Sequence, residues 1–405
     1  MSGAVIAPAP ADTHRPPDLS HPALFLRFLR FGLMAFGGPV AQIAMIRREL
    51  VDEERWISSA HFNRLLAVMQ ALPGPEAHEL CVHLGIRAKG RLGGLLAGLA
   101  FMLPGFILVL ALAWAYTRFA FQSRLLAAVF LGVQAAVIAV IVRAVHRIGE
   151  HILIDRWLWL AAGLAAGATL LGAPFWIVLP GVGIGYALAA SRRYGLAALV
   201  LLVAAAGGWL ISGSAGAATQ AAVAAPTAAA LFVAGLKGGL LTFGGAYTAI
   251  PFVRTDTVGR GWMSDAQFLD GLGLSGILPA PLVIFATFVG WVSGGLAGAL
   301  AITAGMFLPA FAFSLLFYER LEALIEHRRL QLFLAGVAAG VAGLIAMTLL
   351  DLARATVDRT PALIVTGAIF VTSLLVLYRW KNKLATPVVL AVGGLAGTLA
   401  LTSSG

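Results

Sequence analysis

Apolar stretches long enough to cross a bilayer recur along the whole of this 405-residue chain, and that recurrence limits what it can fold into. A hydrocarbon core of roughly 30 Å takes about 20 helical residues. About thirteen candidate membrane segments lie near 24–46, 62–86, 93–117, 126–147, 156–172, 173–190, 196–212, 228–252, 268–290, 294–317, 332–350, 362–379 and 386–402. With 60% hydrophobic residues, 11% charged residues and a mean hydropathy of +0.92, the chain is no soluble domain with a polar surface. Its Ala, Leu and Gly content favours helices over the alternating strands of an outer-membrane barrel. The expected class is an all-α polytopic protein whose main partner is the lipid bilayer.

The formal net charge of +10 does not point to nucleic acid, because the Lys and Arg residues sit in short groups between apolar runs. Residues 1–23 are polar and Pro-rich and read as a flexible tail, not a signal peptide. The single cysteine, Cys81, excludes an intrachain disulfide.

Comparing the chain with itself is more informative. "RFGLMAFGGPVAQIAMIR" at 30–47 recurs as "KGGLLTFGGAYTAIPFVR" at 237–254, and "WISSAHF" at 56–62 as "WMSDAQF" at 262–268. "LPGP" at 72–75 recurs as "LPAP" at 278–281, and "MLPGF" at 102–106 as "FLPAF" at 307–311. The offset stays near 206 residues. Two homologous repeats follow, 24–195 and 228–405, joined by a linker helix and loop at 196–227.

Six crossings per repeat plus one linker helix turn the second repeat upside down. The charges fit that arrangement. Arg87/Lys89/Arg91, Arg143/Arg147/Arg156, Arg192/Arg193, Arg320/Arg328/Arg329 and Arg379/Lys381/Lys383 fall on one side, with Arg118, Arg124, Arg354 and Arg359 as exceptions. The expected topology is inverted, with a cytoplasmic N-terminus.

Within the segments, Gly and Pro mark breaks that leave backbone groups in need of partners. "AFGGP" at 35–39 places Gly37 and Gly38 before Pro39, which suits the first position of a new helix. "LPGPE" at 72–76 repeats the design, with Gly74 before Pro75. Gly244, Gly245 and Pro281 stand in the matching places of the second repeat. Each break aims a helix N-terminus, with free N–H groups and about half a positive charge, into the interior, where it suits an anion. The plainer explanation is that Gly and Pro only kink or pack these helices. Pairing of the breaks across both repeats favours a binding site.

Arg30 aligns with Lys237, each seven residues before its first motif glycine. They are candidate countercharges to an anion, with snorkelling to the headgroups as the alternative. Arg47 aligns with Arg254 and reads equally as a charge candidate or a topology signal. A helix beginning at Pro75 puts Glu76, Glu79 and His83 on one face and His78 on another. These three are candidates for proton coupling, although Glu76 alone would also stabilise the helix dipole. Their second-repeat counterparts, Leu282, Phe285 and Val289, do not titrate. No cofactor motif stands out, and "AHELCVH" lacks the HExxH zinc spacing, so neither cofactor nor metal is expected. Ser264 and Gln267 form a candidate capping box, and Trp56 and Trp262 are expected at the interface.

Taken together, "FGGPVAQIAMIRRELVDEERW", "LPGPEAHELCVHLG", "GGLLAGLAFMLPG", "FGGAYTAIPFV" and "LPAPLVIFATFVG" resemble the chromate ion transporter family in its long, duplicated form. The resemblance spans both repeats. It implies a bacterial inner-membrane transporter that exports chromate, a tetrahedral dianion. The motif positions are Phe36, Gly37, Gly38, Pro39, Pro73, Gly74, Pro75, Glu76, Gly244, Gly245, Pro279 and Pro281. His78 and Glu79 depart from the amide or small residues of the family pattern, and Ala280 from its glycine.

Physics favours the outward direction independently. A dianion leaving a cell that is negative inside gains about 4.6 kcal/mol per 100 mV, twice the value for one charge. Sulfate or another tetrahedral oxyanion is the alternative substrate. A channel, a membrane-embedded enzyme and a scaffold are the alternatives to a transporter, and a homodimer is the assembly left open.

Overall fold

The computed structural model describes residues 14–119, 124–215, 225–243, 245–316, 327–360 and 362–398; Gly244 and Arg320 lie outside them. Among the described residues every regular element is helical. Helices α1 (His21–Leu33), α2 (Gly38–Arg47), α3 (Ser59–Ala71), α4 (Glu76–Phe119), α5 (Arg124–Ile152), α6 (Arg156–Leu170) and α7 (Phe175–Ala190) come first, followed by α8 (Tyr194–Ala215). Then come α9 (Ala228–Leu240), α10 (Ile250–Thr257), α11 (Asp265–Ile277), α12 (Phe285–Leu316), α13 (Arg328–Arg359), α14 (Leu363–Arg379) and α15 (Ala385–Gly397). Four stretches, Glu76–Phe119, Arg124–Ile152, Leu282–Leu316 and Arg328–Arg359, are long and apolar enough to cross a membrane.

Local chemistry starts these helices. The side chains of Ser20, Ser58, Asp155 and Thr227 each accept a hydrogen bond from a first-turn amide. Ser264 and Gln267 complete the expected capping box on α11. The tryptophan expectation fails at Trp56, which is 0% exposed. Its indole N–H donates to Glu54 at 2.9 Å, and that bond lets the ring sit in the core instead of at the interface.

Neither α4 nor α12 is a single rod. Lys89 and Gly90 leave helical geometry at φ/ψ −144/32 and 63/−164, and Gly294 and Gly295 do so at −143/23 and 60/−151. The Thr287 and Thr303 hydroxyls, 16 residues apart, lie 2.7 Å from each other, whereas a straight helix would separate them by about 24 Å. Each element is therefore a hairpin of two antiparallel limbs. A Cβ on Gly85 would meet the Gly93 carbonyl, and one on Gly290 the Gly298 carbonyl, so only glycine permits so close a turn-back. Outside the hairpins, α1 runs alongside the second limb of α4 in the same direction, and α9 does the same on α12.

The rest of the bundle is interlocked. Helix α5 packs against α14 and α15, while α13 packs against α6 and α7. Small residues allow this, since lipid supplies no hydrophobic drive between helices and close backbone contact must hold them together. A Cβ on Gly343 of α13 would meet the Ala162 carbonyl of α6, whereas one on Gly163 of α6 would meet nothing within 4 Å. Gly343→Val should destabilise the detergent-solubilised protein by about 1–3 kcal/mol, the cost of overpacking. Gly163→Ala should leave its thermal melt unchanged or raised.

Candidate functional site

Among the described residues, the motif positions lie at four interruptions: 34–37 between α1 and α2, 72–75 between α3 and α4, 241–243 and 245 between α9 and the 3-10 turn Ala246–Ala249 before α10, and 278–281 after α11. Gly37 at φ 88, Gly38 at φ 76, Gly74 at φ 149 and Gly245 at φ 133 occupy backbone conformations that side chains disfavour. Pro39 lies in the first turn of α2. Pro75 stands just before α4, its carbonyl accepting from His78 N–H at 2.8 Å and Glu79 N–H at 3.1 Å, so the helix begins at Glu76 instead of at the proline. Pro281 likewise precedes the short turn Leu282–Ile284.

The interruptions meet crosswise between the two halves of the chain. Gln42, buried in α2, donates from Nε2 to the Ala35 carbonyl at 2.9 Å and to the Ala280 carbonyl at 3.1 Å. Gly74 N–H donates to the Thr242 carbonyl at 2.9 Å. Freed backbone of one half thus finds partners in the other. The 72–75 and 278–281 breaks also pack on the opposite half's Leu-Pro-Gly/Ala motif: a Cβ on Gly105 would meet Ala280, and one on Gly74 would lie 3.5 Å from the Ala310 methyl. Gly38 and Gly245 differ, since a Cβ on either would meet nothing within 4 Å. At Gly37, by contrast, a Cβ would lie 2.8 Å from the Lys383 backbone.

The basic candidates are all engaged. Arg30 lies 3.4 Å from Glu49, and Lys237 lies 3.0 Å from Asp256. Both pairs span 19 residues, so the repeat carries the acid as well as the base. Arg47 donates to Ser59 at 2.9 Å and Asn63 at 3.1 Å, while Arg254 grips Asp265 at 2.7 Å and 3.2 Å and reaches Asp351 at 3.4 Å. These two arginines tie the ends of α2 and α10 to the starts of α3 and α11. None of the four projects into the interruptions as an isolated cation.

The acidic face of α4 is buried as a unit, with Glu76, Glu79 and His83 all inside the protein. Glu79 is 0% exposed, and neither carboxylate oxygen has a hydrogen-bond partner among the described residues. It adjoins the Gly74 backbone, where a Cβ would strike its carboxylate. Arg147 is close enough to act on Glu76 electrostatically. The His78 ring lies edge-on to Phe307 at 5.0 Å and Phe311 at 4.7 Å, an aromatic pocket built largely by the other half.

Sequence reasoning missed Gln42, the acids Glu49 and Asp256, and a buried carboxylate at Asp270. The aligned spacing of Arg30/Glu49 and Lys237/Asp256 was a usable signal for the acids. A lone Gln or Asp in an apolar helix carries none.

Comparison with known proteins adds a family model, chromate transporter, which matches residues 22–187 and again 229–398. The chain is 62% identical over 394 residues to a chromate transport protein of Pseudomonas aeruginosa, covering 96% of this chain and 95% of that protein. It is 31% identical to a chromate transport protein of Cupriavidus metallidurans, covering 97% and 98%, and 30% identical to a probable chromate transport protein of Synechococcus elongatus, covering 94% and 96%. No solved structure matches.

Gln42→Leu should leave the Ala35 and Ala280 carbonyls unpaired and cost about 1–3 kcal/mol. A thermal melt in detergent tests this, and an unchanged melt would mean that the bond to Ala280 contributes nothing to holding the interruptions together.

Proposed function

The chain belongs to the chromate transporter family, and from that footing we propose that it exports chromate across the bacterial inner membrane as a secondary transporter of two inverted repeats. The observation that carries this reading is the crosswise meeting of the four interruptions, with Gly38 and Gly245 opening onto unfilled space. An oxyanion needs several hydrogen-bond donors and no permanent acid beside them. The first-turn amides of α2 lack intrahelical partners by helix geometry, and Gly38 leaves room for an anion to approach them.

The duplication draws support from the two matches of one family model, the equal kinks at Lys89/Gly90 and Gly294/Gly295, and the equal ion pairs, and the placement of the basic groups favours inversion of the second repeat. Alternating access then follows from moving one set of paired breaks relative to the other. Arg30 and Lys237, each held by its acid, supply countercharge only when that pair opens. Glu76, Glu79 and His83 remain the proton-coupling candidates at the 72–75 break, with Glu79 the most enclosed. An ionised carboxylate there would compete with chromate for the same positive helix end, so protonation and anion binding are linked. No bond in the substrate is made or broken, and the chain needs no cofactor to do this work.

Uptake of labelled chromate into everted membrane vesicles tests the proposal. Saturable uptake driven by a lumen-positive potential is expected, with sulfate as the competing dianion. Gly38→Ala and Gly245→Ala create no clash but strain the backbone by about 1–3 kcal/mol, and uptake should fall by about tenfold at retained expression. An Arg30→Gln/Lys237→Gln variant should lose uptake if the paired cations take part. Absence of chromate uptake by well-folded wild-type protein would contradict the assignment.

A further inference from the structure

Apart from the α4 acids and Asp256, which is paired with Lys237, one more carboxylate is buried among the described residues. Asp270, in α11, is 4% exposed and has no ion-pair partner among the described residues. Tyr116 of α4 donates its hydroxyl hydrogen to Asp270 Oδ2 at 2.8 Å, and Gln134 of α5 donates from Nε2 to Oδ1 at 2.8 Å. We propose that Asp270, held by Tyr116 and Gln134, is a proton-carrying site of the transport cycle, loaded from the outer side and separate from the acids of α4. This rests on the transport reading above.

The chemistry of the two partners is the first argument. An ionised carboxylate accepts from both. A protonated one would still accept from Gln134 and would donate from Oδ2 to the Tyr116 oxygen, whose own hydrogen rotates away. Either state can therefore be satisfied without a rearrangement of the backbone, which an arginine partner would not allow, since it would hold the carboxylate ionised. Both partners present hydrogens to the carboxylate, and a metal cation would need their lone pairs instead. The matching ligand is a proton.

Position is the second argument. Asp270 precedes the 278–281 interruption by eight residues, about 12 Å of helix rise. Leu272, two residues on, and Val137, three residues beyond Gln134, line an apolar cavity of about 10 Å³ that also touches Tyr247 and Leu282, beside Gly245 and Pro281. That volume is about the size of one water, so a larger ion does not fit there. On the other side, Tyr116 lies near the end of α4 beside Arg118, and Arg359 of α13 acts on Asp270 electrostatically. Both arginines belong to the charges that fall outside in the inverted arrangement.

Helices α12 and α15 and the turn Leu282–Ile284 pack against α11 without offering a titratable side chain. Tyr116, Gln134 and Arg359 are the polar and charged groups that face or act on Asp270 from the elements around it. In the proposed step an O–H bond forms at Oδ2 with a proton from the outer water and breaks when that proton leaves to the inner water; nothing else changes covalently.

Two measurements on the purified full-length protein test the proposal. Infrared difference titration, with the carboxyl band identified by its loss in Asp270→Asn, should show Asp270 changing protonation within the physiological pH range; a band that stays fixed across it overturns the proposal. In proteoliposomes, an opposing pH gradient should accelerate wild-type chromate flux. Asp270→Asn, which keeps the size and hydrogen-bonding capacity of the site, should lose that acceleration while retaining the potential-driven flux and equilibrium chromate binding. Full acceleration in Asp270→Asn would also overturn it. Should Asp270→Asn fail to fold, Tyr116→Phe serves: a shifted pH profile is the expected result, and lowered stability with an unshifted profile would reduce the cluster to a structural clasp. Wild-type protein that moves no chromate would refute the transport reading, and the infrared titration would still decide whether Asp270 takes a proton.

Discussion

Backbone hydrogen bonding governs this molecule. In hydrocarbon an unpaired N–H or C=O costs several kcal/mol, so a helix broken at membrane depth persists only if something else satisfies it. Here that partner is the other half of the chain. The Ala280 carbonyl takes its hydrogen bond from Gln42, and the Gly74 amide gives its own to Thr242. Neither half could keep its interruptions alone, which explains why α5 and α13 are each enclosed by helices of the opposite half. The same arrangement brings four weak points of the fold to one region.

Charge follows the same economy. Basic residues ahead of the breaks are matched locally, Arg30 by Glu49 and Lys237 by Asp256, so neither stands as an isolated cation. Arg47 and Arg254 stitch short helices end to end. What remains for an anion is mostly backbone: amides at helix starts, exposed because Gly38 and Gly245 carry no side chain to cover them. Backbone donors do not titrate, so the proposed site would keep its donors whatever the protonation of the acids near it.

Much of this was legible in the sequence. The FGGP, LPGP and LPAP breaks, the gap between the 62–86 and 93–117 segments and the recurring bases all sit where the repeat places them, because Gly, Pro and charge act locally. The crosswise partners were not legible. Gln42 and Ala280 are 238 residues apart, and Asp270 lies 154 and 136 residues from Tyr116 and Gln134. Trp56 was misread because an interfacial indole and a buried one bonded to Glu54 look alike in sequence. The bases Arg30 and Lys237 were found, but not the acids 19 residues on that neutralise them, although the repeat printed both.

The central claim is that the anion is bound where the interruptions meet. A cryo-electron microscopy map of the protein with chromate would test it most directly. The account predicts tetrahedral density within hydrogen-bond reach of the backbone amides beside Gly38 or Gly245. Density held elsewhere, on surface arginines or lysines away from all four interruptions, would contradict it.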